Sequence, residues 1–294
     1  MHPNGMPLGI FKGICYNSVM KNIILLTLLL SSILHANLKV CVSILPQAFF
    51  IEKLAGDLVD VEVLVKEGAN PATYAPKPSQ LRAIKDAKLY FTIGVAFEKN
   101  WLHRFLSINP DIKLIDTVQN IKKIAMQEHH EHKGGLDPHV WLDPKLVIKQ
   151  IEVITSALIE EDRANEKIYL ENKEAFLKDI FAIDLKIKEI LSRSSQKEFI
   201  VFHPAFGYFA HAYGLKQVAI EKEGKEPSVK YIKKIIDFAK AHEIKTVFVA
   251  PQFSQKSAKQ IAKLIHGTVK TINPLAFSWD KNILNIATSF IHDK

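Results

Sequence analysis

The sequence predicts an α/β fold of two lobes, each a mainly parallel sheet flanked by helices, joined by one long helix. Three observations carry that expectation. Short apolar runs of strand length alternate with amphipathic helical segments, the pattern of α/β units around a parallel sheet. The same alternation resumes in the second half of the chain. Between the halves, residues 163–195 contain neither Gly nor Pro, and Tyr169, Phe176, Ile180, Ile183, Ile187, Ile190 and Leu191 recur there at helical spacing. The 294 residues, 48% hydrophobic and 24% charged, are enough for one large domain or two medium ones.

In chain order, Lys21 precedes the apolar run NIILLTLLLSSIL and then His35-Ala36, the arrangement of a cleavable secretory signal with a small residue before the cut. Cleavage is expected after Ala36. The upstream stretch MHPNGMPLGIFKGICYNSV fits no export signal, so Met20 is read as the true start. The apolar run is short for a membrane span and no other segment approaches that length, so no membrane insertion is expected after cleavage. The expected organisation is therefore 1–36 signal and extension, 37–162 first lobe, 163–195 linking helix and 196–294 second lobe.

KVCVSIL, VDVEVLV and KLYFTIG read as strands of the first lobe, with helices over 46–56 and 79–87 between them. Asp143-Pro144 supplies an N-cap and a first-turn proline for a further helix. In the second lobe EFIVFH, KQVAIE, KTVFVA and TVKTIN read as strands, with helices over 205–213, 228–242 and 254–266. Cys15 lies before the apolar run and Cys41 in the first strand, which leaves the mature chain no internal disulfide and makes Cys41 a small core residue. Neither cysteine has the context of a lipid-attachment site. Loss of Lys12 and Lys21 with the signal lowers the formal charge from +8 to +6. That excess is spread over lysine-rich helices without a basic aromatic patch, so no nucleic-acid partner is expected.

The stretch from Glu128 to Pro144, EHHEHKGGLDPHVWLDP, holds four of the twelve histidines. Neutral imidazole is the commonest protein ligand for zinc. His129, His130 and His132 beside Gly134 and Gly135 suggest a collecting loop over 128–135, while His139 sits in a stiffer context before a capped helix. A solvated polar loop is the competing reading for the trio.

Several motifs in a fixed order resemble the zinc- and manganese-binding solute-binding proteins of ABC importers: GANPATYAPKPSQL, DPHVWLDP, FHPAFGYFAHAYGL, EPSVKYIKKIIDFAK, APQFSQKSAKQIA and INPLAFSW. The resemblance spans nearly all of the mature chain. It implies a metal cleft between the lobes, no enzymatic activity, a periplasmic monomer that delivers a divalent ion to a permease and its ATPase, and only a small rearrangement on binding. It also implies ligands from four places, and the carry-over is incomplete. His139 and His203 are present. The first ligand position is Ala72, in Pro71-Ala72-Thr73-Tyr74, and the C-terminal Asp position is Asn273 in NPLA, whose amide oxygen is the poorer zinc ligand.

Three explanations of the thin shell stay open: His132 or His130 folds into the cleft, the cargo is a metal chelate that brings its own donors, or tight binding has been lost. The first is preferred. His203, where manganese-binding relatives carry a carboxylate, makes the site nitrogen-rich and favours Zn2+ over Mn2+, although Ni2+ also suits imidazole. Ligation by imidazole predicts weaker binding as pH falls through the histidine range. A zinc hydrolase with Asp137 or Glu98 as base lacks an HExxH helix and a third ligand at catalytic spacing, and an adhesin on the same fold is a further alternative. The charged stretch Lys222–Pro227 is a candidate permease contact.

Overall fold

The computed structural model describes residues 37–126, 135–221 and 227–291. Within them the first lobe is built from β1 (Leu38–Val42), α1 (Leu45–Ala55), β2 (Val59–Val63), α2 (Pro78–Asp86), β3 (Leu89–Thr92), α3 (Ala96–Ile108) and β4 (Lys113–Asp116). Two helices follow, α4 (Pro144–Glu161) and α5 (Glu166–Ser192). The second lobe contains β5 (Glu198–Val201), α6 (Gly207–Tyr213), β6 (Lys216–Ala219), α7 (Val229–Ala241), β7 (Thr246–Val249), α8 (Lys256–Leu264), β8 (Thr268–Thr271) and α9 (Trp279–Ser289). Both sheets are parallel throughout and share one topology, β2-β1-β3-β4 and β6-β5-β7-β8. The two-lobed α/β class read from the sequence is the one observed, and the described residues from Leu38 onward form one compact unit.

The strands stop earlier than the apolar runs suggest. KVCVSIL, for instance, leaves the sheet after Val42 because the chain must turn into α1. There the Gln47 side chain caps the helix, accepting from the backbone N–H of Ser43 (3.1 Å) and Ile44 (3.2 Å) and donating to the Phe91 carbonyl of β3 (2.9 Å). Gln80 does the same work after β2, accepting from Lys77 N–H and the Tyr74 hydroxyl and donating to the carbonyls of Val63 and Leu64. Asp143 caps α4 as expected, its Oδ1 accepting from Lys145 N–H at 2.9 Å with Pro144 in the first turn. The αL position that ends α6 is Gly214, φ 65°. Cys41 is buried in β1, where desolvation pushes its thiol up to about 12.

Three elements were not anticipated: α3, β4 and α9. Phe97, Trp101 and Phe105 recur on one face of α3, with ring centres 6.0–6.4 Å apart. The last helix is the more consequential. Trp279 packs edge-on against Phe50 of α1 (5.6 Å) and Phe176 of α5 (6.4 Å), so the chain returns from the second sheet to the first lobe. The indoles fasten that return reciprocally: Trp141 Nε1 donates to the Pro274 carbonyl at 2.7 Å, and Trp279 Nε1 to the Trp141 carbonyl at 2.6 Å. α5, about 40 Å long, is therefore not alone in joining the lobes.

Candidate metal centre

In an open parallel sheet, side chains that meet a ligand sit in the loops leaving the carboxyl ends of the strands. Here those ends from both sheets converge on one cavity of about 130 Å³. Asn70, Pro71 and Ala72 come from the loop after β2, Val95 and Ala96 from that after β3, and Met126, Pro138, His139 and Trp141 from the segment after β4. The second lobe supplies His203 after β5, Gln252 and Phe253 after β7, and Pro274 and Leu275 after β8. The walls are mostly apolar, and the two imidazoles face each other across them.

His139 opens the 3-10 turn Val140–Leu142 and is 8% exposed. Its Nδ1 lies 2.7 Å from Asp137 Oδ1, which also accepts from the His139 backbone N–H at 2.9 Å. Asp137 is 1% exposed. A buried carboxylate with an imidazole nitrogen at that distance holds the proton on Nδ1, and the Nε2 lone pair is left for the cavity. His203 repeats the arrangement with Glu221, which is 8% exposed and lies 3.0 Å from Nδ1. Glu221 ends the β6 run, and its N–H binds the Phe202 carbonyl at 2.8 Å, which places it beside His203. The His203 ring stacks on Phe253 with centres 4.7 Å apart. Burial lowers the His203 pKa, against the opposing pull of Glu221 and with help from the neighbouring His139. The imidazole is thus held neutral, the form that ligates.

The ring centres of His139 and His203 are 5.4 Å apart at an interplanar angle of 72°. Zinc–nitrogen bonds of about 2.0–2.1 Å in tetrahedral geometry put two imidazole centres about 5.2 Å apart. The observed separation is close to that spacing.

The second lobe also fixes the first histidine. A Cβ on Gly207 would stand 2.6 Å from Asp137 Oδ2, so only glycine lets α6 approach this carboxylate. The adjacent Tyr208 hydroxyl donates to the Asp137 carbonyl (3.2 Å) and accepts from Ile124 N–H (3.1 Å).

The remaining sequence-derived positions are less simply placed. Ala72 lines the same cavity as both histidines, its backbone N–H bound to Asn70 Oδ1 at 2.9 Å. Asn273 Oδ1 accepts from Gln252 Nε2 and from Leu275 N–H, both at 3.0 Å, and Asn273 does not line the cavity. His130 and His132 lie outside the described residues, as do Lys222–Glu226 of the candidate permease contact. His103, His211, His242 and His266 are exposed on the surface. No group of three or more His, Cys, Asp or Glu able to hold a metal occurs among the described residues. Glu98 is 4% exposed and saturated by Ser43 Oγ (2.5 Å) and the N–H groups of Ile93 (2.9 Å) and Gly94 (2.7 Å). It holds the β3–α3 turn that carries Val95 and Ala96, and burial raises its pKa. Asp137 stands behind His139. Neither carboxylate is arranged as a hydrolytic base.

Residues 40–282 match the family described as the zinc-uptake complex component A, periplasmic, ZnuA. The chain belongs to this family. A putative metal-binding protein of Chlamydia trachomatis is 31% identical over 253 residues, 86% of this chain and 90% of that one. The iron-binding protein YfeA of Yersinia pestis is 30% identical over 219 residues, 72% of this chain and 69% of its own. A crystal structure of a zinc-bound ZnuA deletion mutant superposes with a TM-score of 0.82 at 41% identity, covering 86% of this chain and 96% of that one. The ZnuA-type protein is a metal-binding solute-binding protein, not an enzyme. Sequence reasoning did not single out Glu221, Gly207 or Gln252, and it weighed Asp137 only as a hydrolytic base. Asp137 sits two residues before a candidate ligand, and Glu221 closes a strand run parallel to the one preceding His203; both signals were readable.

Proposed function

We propose that this ZnuA-family chain captures a divalent ion, Zn2+ first, in the periplasm after export by a cleaved signal, and hands it as a monomer to an ABC permease driven by its ATPase. The observation that carries the reading is the pair of carboxylate-held imidazoles, His139 and His203, 5.4 Å apart in a cavity built from both lobes. A nitrogen-rich pair favours zinc over manganese, and the zinc-uptake family and a zinc-bound neighbour at 41% identity support the same choice. Iron is the alternative that the Yersinia relative's name raises. The backs of the two imidazoles carry two buried carboxylates, which balance a dication.

Two histidines leave a tetrahedral ion short. His132 or His130, from the glycine-flanked tract eight or fewer residues before Asp137, supplies the third imidazole, and Met126, just before that tract, already lines the cavity. Asn273, with its oxygen engaged by two N–H donors, is the weakest of the five positions named for the metal.

Metal analysis and zinc titration of residues 37–294 test this reading, with deletion of Glu128–His132 as the second arm. The expected result is one tight zinc per chain and an affinity about 100-fold or more weaker in the deletion. A chain that binds no zinc, or a deletion that binds as well as the parent, contradicts it.

A further inference from the structure

Among the described residues only two buried side-chain polar atoms lack a hydrogen-bond partner, Gln150 Oε1 and Gln252 Oε1. Gln150 belongs to α4 and does not line the cavity. Gln252 does, one residue before the Phe253 ring that stacks on His203. Buried polar groups in folded proteins are nearly always partnered, so an orphan in a binding cleft calls for a ligand, an ion or a water.

The direction of this amide is forced by its neighbours. Leu275 N–H can only donate, so the Asn273 side-chain atom 3.0 Å away must be the oxygen. That oxygen can receive only a donor from Gln252, which sets Nε2 toward Asn273 at 3.0 Å and leaves Oε1 on the opposite branch of the amide. Turning Gln252 over would bring two carbonyl oxygens together. The orphan oxygen is therefore a fixed acceptor on a side chain that lines the cavity, whose other walls are the two imidazoles, Asn70 and largely apolar groups.

We infer that Gln252 Oε1 accepts a hydrogen bond from a water carried on the bound metal, at a coordination position that no histidine takes. The inference rests on the metal-capture reading of the cleft. A divalent ion polarises the O–H bonds of its water, which makes that water a strong donor, and a neutral amide oxygen is suited to receive it. The cavity that Gln252 lines measures about 130 Å³, against the roughly 10–15 Å³ that one water needs. Asn273 then acquires a role although its own oxygen is occupied. It orients Gln252, and through Gln252 the water. The cargo is accordingly an aquated ion, and Gln252 is a positioning residue for its exogenous ligand.

This arrangement has a signature that a structural role does not share. A glutamine retained for folding would lower the stability of the empty protein when replaced. An orphan acceptor is a burden on the empty protein and is satisfied only in the loaded one. Gln252→Met keeps the length and removes the acceptor. The test is zinc affinity by chelator competition, melting temperature of the metal-free chain, and the visible spectrum of the Co2+-loaded chain. We expect zinc affinity about tenfold weaker in Gln252→Met, a metal-free melting temperature equal to or above wild type, and a changed Co2+ band intensity. A crystal structure of the zinc-loaded wild-type chain, expected to show a metal-bound water within hydrogen-bond distance of Gln252 Oε1, keeps the test decisive if the methionine variant does not fold. Affinity within twofold of wild type in Gln252→Met, or a loaded crystal with no such water at Gln252 Oε1, overturns the inference while leaving metal capture intact. Failure of the wild-type chain to bind any metal overturns both.

Discussion

Replacing Asp137 with Asn changes one property of the His139 environment and preserves most of the others. The amide is nearly isosteric with the carboxylate, so the packing against Gly207 and the acceptor for His139 N–H (2.9 Å) can be kept. What disappears is the negative charge 2.7 Å behind the imidazole. That charge offsets part of the incoming dication. Loss of such an outer partner typically costs 10–100-fold in metal affinity, which is about 1.4–2.8 kcal/mol. Asp137→Asn is placed at the lower end, about tenfold, because the tautomer is still held. Asp137→Ala removes orientation as well, leaves a buried N–H unpaired, and is placed near 100-fold. The assay is competition with a chromophoric zinc chelator at pH 7.5, alongside the melting temperature of each metal-free variant. Wild-type affinity in a folded Asp137→Asn protein would refute the claim that the carboxylate tunes the ligand; an equal loss in both variants would show that its charge, not its orienting bonds, matters.

Gly207→Ala drives a Cβ to 2.6 Å from Asp137 Oδ2, so zinc affinity should fall together with stability, and calorimetric titration showing no change in affinity would contradict the cross-lobe support of His139. Because burial depresses His203 below its ordinary 6.5, the unfolded chain binds more protons than the folded one in the interval below that value. The stability of the metal-free protein is therefore retained above pH 6.5 and lost as pH falls toward the folded-state value. Melting temperatures from pH 7.5 to 5 should show a decline that His203→Gln flattens, and an identical slope in the variant would count against it. Ala72→His adds an imidazole at a wall shared with both histidines and should raise zinc affinity at least tenfold; no gain would mean that the native shell is already complete.

The two sheets and the cap of α4 were legible because they depend on local signals: alternating apolar strands, Asp143-Pro144 at a helix start, a Gly- and Pro-free stretch at α5. His139 and His203 were legible through motif resemblance, and the carboxyl-edge placement of both followed from parallel topology. α9 was missed although Trp279, Ile283, Ile286 and Ala287 have helical spacing and are all buried, because the apolar segment after β8 gives no sign that it leaves its own sheet to pack on α1 and α5. The Glu221 partnership needs the β5–β6 register, which pairs Val201 with Ala219 and carries the next residues of both strands out together. The Gln252 orphan is further from the sequence still. It arises from a chain of three groups, Leu275, Asn273 and Gln252, whose donor and acceptor roles are set only when β7 and β8 lie side by side. The sequence reading counted Asn273 as a weak ligand; in the fold its oxygen faces two N–H donors.

The decisive measurement is zinc stoichiometry and affinity of residues 37–294 beside His139→Ala and His203→Ala, each checked for a folded state by circular dichroism. If the two imidazoles share one ion, wild type binds a single zinc, each single variant binds about 100-fold or more weakly, and the double variant is no worse than additive. A single variant that keeps wild-type affinity would place the metal elsewhere and contradict the site.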